Sequence, residues 1–220
     1  MSVSGQKVAA AAEFRIGPDS GLPDGEVCLI PGFLPKEAAD RYLAQVRRRV
    51  DWERHVIRIR GRSVASPRLS AWHGDPGASY AYSGLSLEPQ PWLPVLRELK
   101  SRIEQVCDAS FNSVLLNLYR DGSDHMGWHS DDEPELGDQP LIASVSLGAS
   151  RRFRLRHKRR RELEPVVVTL DHGSLLIMRG ETQRFWKHQI SKSKRLLEER
   201  VNLTFRRILP RSIEAPQPTA

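Results

Sequence analysis

The chain has 220 residues, 39% of them hydrophobic and 28% charged, which suits one domain with a packed core. No run approaches the roughly 18–20 apolar residues that span a bilayer, and two cysteines, Cys28 and Cys107, are too few for a disulfide framework or a cysteine zinc site. Lys and Arg number 34 against 27 Asp and Glu, a net charge of +7, so polyanions are attracted and nucleic acid is the first partner to consider.

Residues 1–25 are small, polar and broken by Gly and Pro, and read as a flexible arm. Met1 to Glu13 lacks an apolar h-region, so no secretory signal is expected, and the cysteine usage fits a reducing compartment. Val27 to Ile30 makes a short strand before the Pro31-Gly32 break. Pro35 to Val50 is predicted helical, because Ala38, Ala39, Leu43, Val46 and Val50 recur at helical spacing and Arg47 to Arg49 suit its C-terminus. His55 to Ile59 alternates like a strand and opens a loop-and-hairpin lid over 55–84, punctuated by Gly61, Pro67, Gly74, Pro76, Gly77 and Gly84. A second helix is predicted from Trp92 to Val106, with Leu96, Leu99, Ile103 and Val106 as its buried stripe. Short strands follow at 113–119, 127–131, 141–148, 152–157, 165–170, 174–179, 185–190 and 199–208, spaced as in a β-sandwich or barrel. Residues 210–220 read as a disordered tail. The expected architecture is mainly β with N-terminal helices, one domain over 26–209.

Two of these strands carry unusual polar faces. In Arg200 to Arg206, alternation sends Val201, Leu203 and Phe205 one way and Arg200, Asn202, Thr204 and Arg206 the other. In Leu116 to Tyr119, Asn117 and Tyr119 share a face. If both faces line one cavity, two guanidiniums need an anionic partner, since unpaired buried charge is costly. A small dicarboxylate gripped bidentately satisfies them. The motif His129-x-Asp131 places two metal-ligand types on one side of a strand. Among the later histidines, His157 lies in a dense cationic run and His172 in a turn with a surface or capping role. His188, at the edge of an apolar segment, is the third ligand. Two His and one carboxylate, with positions left open, is the donor set of non-haem Fe(II) oxygenases.

Asn117-Leu118-Tyr119, His129-x-Asp131-Asp132-Glu133, Leu170-x-His172-Gly173-Ser174, His188 and Arg200-x-Asn202-Leu203-Thr204-Phe205-Arg206, in that order, resemble the AlkB family of Fe(II)- and 2-oxoglutarate-dependent dioxygenases. The resemblance covers roughly 26–209. It implies a double-stranded β-helix (jelly-roll) core, with iron on His129, Asp131 and His188. It further implies that Arg206 meets the 2-oxoglutarate carboxylate near the metal and Arg200 the distal one, helped by Asn117, Tyr119 and Asn202. The implied reaction consumes O₂ and 2-oxoglutarate, yields succinate and CO₂, and removes N-methyl groups from 1-methyladenine or 3-methylcytosine in DNA or RNA as formaldehyde.

A base must leave the duplex to reach such a site. Residues 67–75 with Tyr80 and Tyr82 resemble the nucleotide-recognition segment of the repair members, which implies substrate contacts from Arg68, Trp72, His73, Asp75 and Tyr82. Glu133 matches the family's acidic residue near the exocyclic amine of the base, and Asp132 neighbours it as a further implied substrate contact. His73 stands where those members often carry Tyr. No aromatic occurs at 57–62, where some duplex-acting members carry an intercalating finger; Ile59 is the apolar wedge available there. Two basic clusters, Arg151 to Arg161 and Lys187 to Arg195, offer phosphate contacts. A monomer is expected, cytoplasmic in a bacterium or nuclear in a eukaryote. The rivals are a dioxygenase of the same fold acting on protein or lipid, and an inactive nucleic-acid-binding module.

Overall fold

The structure, a computed structural model, describes residues 14–17, 19, 21–59, 62–78, 80–82 and 85–209, and the backbone alone of 14, 57–59, 62, 80–82 and 85–87. The tail at 210–220 and residues 1–13 of the arm lie outside the described residues. The described elements run β1 (Phe14–Ile16), β2 (Glu26–Ile30), α1 (Lys36–Arg49), β3 (Val56–Ile59), β4 (Arg62–Ala65), β5 (Leu69–Gly74), β6 (Tyr80–Tyr82), β7 (Leu85–Leu87) and α2 (Pro94–Cys107). There follow β8 (Ser113–Tyr119), β9 (Met126–His129), β10 (Ile142–Gly148), β11 (Arg151–His157), β12 (Val166–Leu170), β13 (Leu175–Arg179), the single turn α3 (Thr182–Phe185), β14 (Trp186–Ile190) and β15 (Arg200–Arg206).

Two antiparallel sheets make the expected jelly-roll sandwich. The larger has the order β1-β2-β13-β10-β15-β8-β5, the smaller β12-β11-β14-β9. The chain crosses between them repeatedly, so sequence neighbours are rarely sheet neighbours. The two hairpins β3-β4 and β6-β7 stand apart.

The two helices form because each carries one apolar stripe. Pro94 opens α2 where a missing N–H costs nothing, and Asp108 closes it in the left-handed region at φ 48. Ala39, Tyr42 and Val46 of α1 and Leu96, Leu99 and Ile103 of α2 pack on one face of the large sheet, against Leu116, Leu118, Ala143, Val145, Leu203 and Phe205. The other face meets the small sheet. There Ile142, Leu176 and Met178 pack with Phe153, Leu155, Leu170, Trp186 and Ile190.

Strand alternation divides the two faces. In β8, β10 and β15 the helix-facing positions are apolar. Their inter-sheet positions include Asn117, Ser144, Ser146, Asn202 and Thr204, with Arg200 and Arg206, all of which are buried. Ladder pairing puts Asn202 beside both Asn117 and Ser146, and Thr204 beside Ser144. A polar patch inside a sandwich is costly unless its groups find partners, and this one defines the site.

Three expectations need correction. Phe14 to Ile16 is not part of a loose arm: it pairs with Val27 to Leu29 as an edge strand. Residues 69–74 are not lid: they are the buried β5, paired along its length with β8. The strand expected over 127–131 ends at His129, so Asp131 lies beyond it. The lid expected over 55–84 therefore reduces to the two small hairpins. Gly61 and Gly84 lie outside the described residues, as do the side chains of Ile59, Tyr80 and Tyr82.

Candidate metal and anion site

His129 ends β9 and His188 is central in β14, and the two are cross-strand partners. Their rings approach to 4.2 Å between centroids at 67°. Phe153 stacks on His188 at 5.1 Å and fixes its plane. His129 Nδ1 lies 2.9 Å from the carbonyl oxygen of Gly127. A carbonyl only accepts, so Nδ1 carries the proton and the Nε2 lone pair is left for a metal. That Nε2 is 3.8 Å from Asp131 Oδ1. One ligand atom from each of His129, Asp131 and His188 lies within 4.8 Å of the other two.

Asp131 reaches this position outside the strand because other groups hold it. Its N–H donates to Gln183 Oε1 at 3.0 Å, and its Oδ2 accepts from Arg206 Nη2 at 2.8 Å. Next to it, Ser130 Oγ donates to the Trp186 carbonyl at 2.9 Å. Strand alternation is thus not what makes His129 and Asp131 converge; the Gln183 and Arg206 contacts are.

The charge states suit a cation. Burial pushes the His188 imidazole down to about 3, reinforced by His129. Burial also holds His129 below its ordinary value, against the pull of Asp131. For Asp131 burial pushes upward, but Arg206, His188 and His129 together outweigh it and hold the carboxyl well below the usual carboxylate range. At neutral pH the site is two neutral imidazoles and one carboxylate, the protonation state that metal binding needs.

A consequence follows for the metal-free protein. As pH falls, the unfolded chain protonates a histidine near its ordinary pKa of about 6.5, whereas folded His188 resists until about 3. The neutral imidazole is tolerated fully above pH ~6.5, and stability is lost progressively below it. The melting temperature of metal-free protein should therefore decline between pH 7.5 and 5, and less steeply in His188→Gln. A wild-type curve that is flat, or parallel to the variant's, contradicts this.

One pocket joins the triad to the polar patch. It is lined by Asn117, Tyr119, His129, Asp131, His188, Arg200, Asn202 and Arg206, with Leu115, Met126, Ser144, Thr204 and others closing it. Arg206 marks the metal end through Asp131. Arg200 lies further along, donating Nη2 to Ser146 Oγ at 2.9 Å. Its guanidinium sits 5.1 Å from the Tyr119 ring centroid. Its Nε and Nη1 are buried without a hydrogen-bond partner, and burial lowers its pKa to about 10. Asn202 is held by Ser144 Oγ at 2.7 Å and the Val145 carbonyl at 3.0 Å. Unpartnered guanidinium N–H groups in a buried pocket call for an anion with its own acceptors. A keto acid with a distal carboxylate fits: its near end would lie beside the metal ligands and Arg206, its far carboxylate against Arg200.

The expected substrate residues are scattered. Arg68 is buried without lining the pocket, and its Nε donates to Asn117 Oδ1 at 2.6 Å. It therefore orients the Asn117 amide. Trp72 is buried on the inter-sheet side, packed with Ala78, Leu136, Ile208 and Leu115. Its Nε1–H donates to the Ala78 carbonyl at 3.3 Å. His73 is a correction: one position on along β5, it faces the helices, with Nδ1 at 2.8 Å from the Pro91 carbonyl, and cannot stack on a base in this pocket. Asp75 is exposed, and its Oδ1 accepts the Trp92 indole N–H at 2.7 Å. The Tyr82 side chain lies outside the described residues. Asp132 pairs with Lys158 at 2.8 Å, and both it and Glu133 line a groove beside the triad. Ser144, Ser146 and Gln183 were not singled out from the sequence, and Arg151, expected there as a phosphate contact, instead has its guanidinium on backbone carbonyls. The alternation Ser144-x-Ser146 in an otherwise apolar strand is the signal for the first two.

The comparisons with known proteins agree with this geometry. A family model for the 2OG-Fe(II) oxygenase superfamily matches residues 26–206. The alpha-ketoglutarate-dependent dioxygenase alkB homolog 3 of Mus musculus is 44% identical over 226 residues, covering 96% of this chain and 78% of that protein. The DNA oxidative demethylase ALKBH2 of Mus musculus is 42% identical over 196 residues, covering 85% and 82%. Among solved structures, OsALKBH1 superposes with a TM-score of 0.61 at 18% identity, over 82% of this chain and 96% of that one, a likeness of fold alone.

Proposed function

The chain belongs to the 2OG-Fe(II) oxygenase superfamily and, within it, to the AlkB family, and from that premise we propose that it removes N-methyl groups from 1-methyladenine and 3-methylcytosine in nucleic acid. The observation that carries the reading is the pocket itself. Three ligand atoms converge at one end, and a buried, partly unpartnered guanidinium waits at the other. Iron and 2-oxoglutarate, when bound with O₂, supply the oxidation of an unactivated methyl carbon that no side chain provides. The residues do the rest. His129 presents Nε2, Arg206 keeps Asp131 ionised, Arg200 and Asn202 orient the cosubstrate, and the sandwich walls exclude water.

Nucleic acid is supported by the relatives named DNA oxidative demethylase and by the surface. Arg152, Arg154, Lys192, Lys194 and Arg195 line an outer groove together with serines, Arg151, Val167 and Leu197, and no carboxylate is among its lining residues. Arg156 stacks on Trp128 at 4.4 Å on the same outer side of the small sheet. If five of these cations meet phosphates, affinity for a single strand falls roughly a hundredfold between about 50 and 200 mM salt. A flat salt response contradicts this.

The test of the activity uses oligonucleotides carrying one 1-methyladenine or 3-methylcytosine, with Fe(II) and 2-oxoglutarate. Equal yields of formaldehyde and succinate are expected. Succinate without formaldehyde from either base overturns the substrate assignment.

A further inference from the structure

Arg151 opens β11, whose burial alternates: Arg151, Phe153, Leu155 and His157 are buried, while Arg152 and Arg156 are exposed. It therefore points inward although it begins a run of surface cations. Its guanidinium is committed to backbone. It donates to the carbonyls of Asp121 at 3.2 Å, Asp124 at 2.9 Å and Ser191 at 2.8 Å. It thus ties the loop after β8 to the residue that follows β14. It also lies 5.4 Å from the centroid of Tyr119, the ring that Arg200 approaches at 5.1 Å. Tyr119, buried at the end of β8 and paired in register with Arg200, is set by two guanidiniums from opposite sheets.

Arg151 does not line the pocket that holds the triad; Tyr119 does. Its effect on a ligand must therefore pass through that ring. The ring it holds lies beside Arg200, the group against which the far carboxylate would sit. We propose that Arg151 is a positioning residue that, through Tyr119, makes the site selective for keto acids carrying a distal carboxylate. This rests on reading the pocket as the 2-oxoglutarate site.

The test is calorimetric titration of Mn(II)-loaded protein with 2-oxoglutarate and with 2-oxobutyrate, which lacks the distal carboxylate. A cation–π contact held in a desolvated site supports an effect of about tenfold. Arg151→Met should weaken 2-oxoglutarate about tenfold and change 2-oxobutyrate less than about twofold. In a Tyr119→Ala background the same substitution should add little. Equal losses for both acids, no loss, or full additivity with Tyr119→Ala each overturn the proposal. Arg151→Lys keeps the charge but not the three-carbonyl grip, and serves if the methionine variant does not fold. It should show a smaller loss, again for 2-oxoglutarate alone, and an unchanged affinity overturns the proposal. Wild-type protein that binds no 2-oxoglutarate is a different failure, because it removes the pocket's assignment and not only the part given to Arg151.

Discussion

His129→Ala abolishes turnover and leaves the fold intact. His129 ends an edge strand and is partly exposed, so truncating it opens no deep cavity and costs little stability. Its role in the site is different in kind. Nδ1 is tied to the Gly127 carbonyl, and Nε2 is committed to the space that Asp131 and His188 face. Losing a mere outer partner of a metal ligand costs about 10–100-fold, so loss of the ligand itself should exceed about a thousandfold. The assay is formaldehyde release at saturating Fe(II), with circular dichroism and the melting curve as controls. Full turnover by the folded variant refutes the ligand assignment.

The second large effect concerns Asp131 and Arg206. Both are buried, and they meet at 2.8 Å. Without metal, Arg206 is a counterion that Asp131 cannot lose cheaply. Breaking one side of such a pair costs about 3–5 kcal/mol, because the other charge stays buried. Arg206→Met should therefore lower the stability of metal-free protein by that order in chemical denaturation. Asp131→Asn should do so as well, by removing the guanidinium's buried ion-pair partner. The double variant should recover much of the loss, since it removes both charges of the pair. Additive losses contradict the pairing. With metal bound, Asp131 gains a second cation, so Arg206→Met should cost less stability in Mn(II)-loaded protein than in metal-free protein.

The legible parts of this molecule were those where one strand's alternation carries the information. Arg200 to Arg206 and Leu116 to Tyr119 each separate an apolar from a polar face by period two, and the helices α1 and α2 declare themselves by one apolar stripe. The segment 69–74 was not legible. It is six residues long, sits among glycines and prolines, and is a strand only because β8 offers it a ladder. Once that pairing exists, register decides the rest. His73 falls opposite Val114 and faces the helices, whereas Trp72 falls opposite Leu115 and faces the inter-sheet side. Asp131 could not be placed from alternation, because Gln183, 52 residues away, anchors it after the strand has ended. Arg151 was hidden by its company. Its inward phase was present in Arg-x-Phe-x-Leu-x-His, but it read as one more phosphate contact in a run of cations.

The most direct measurement is an anaerobic titration of the protein with Mn(II) and then 2-oxoglutarate, followed by calorimetry. One metal ion per chain is predicted, with 2-oxoglutarate binding in equal proportion and tightly only once the metal is present. Uptake of more than one ion per chain, or keto-acid binding that ignores the metal, contradicts a single centre in which the two sit side by side.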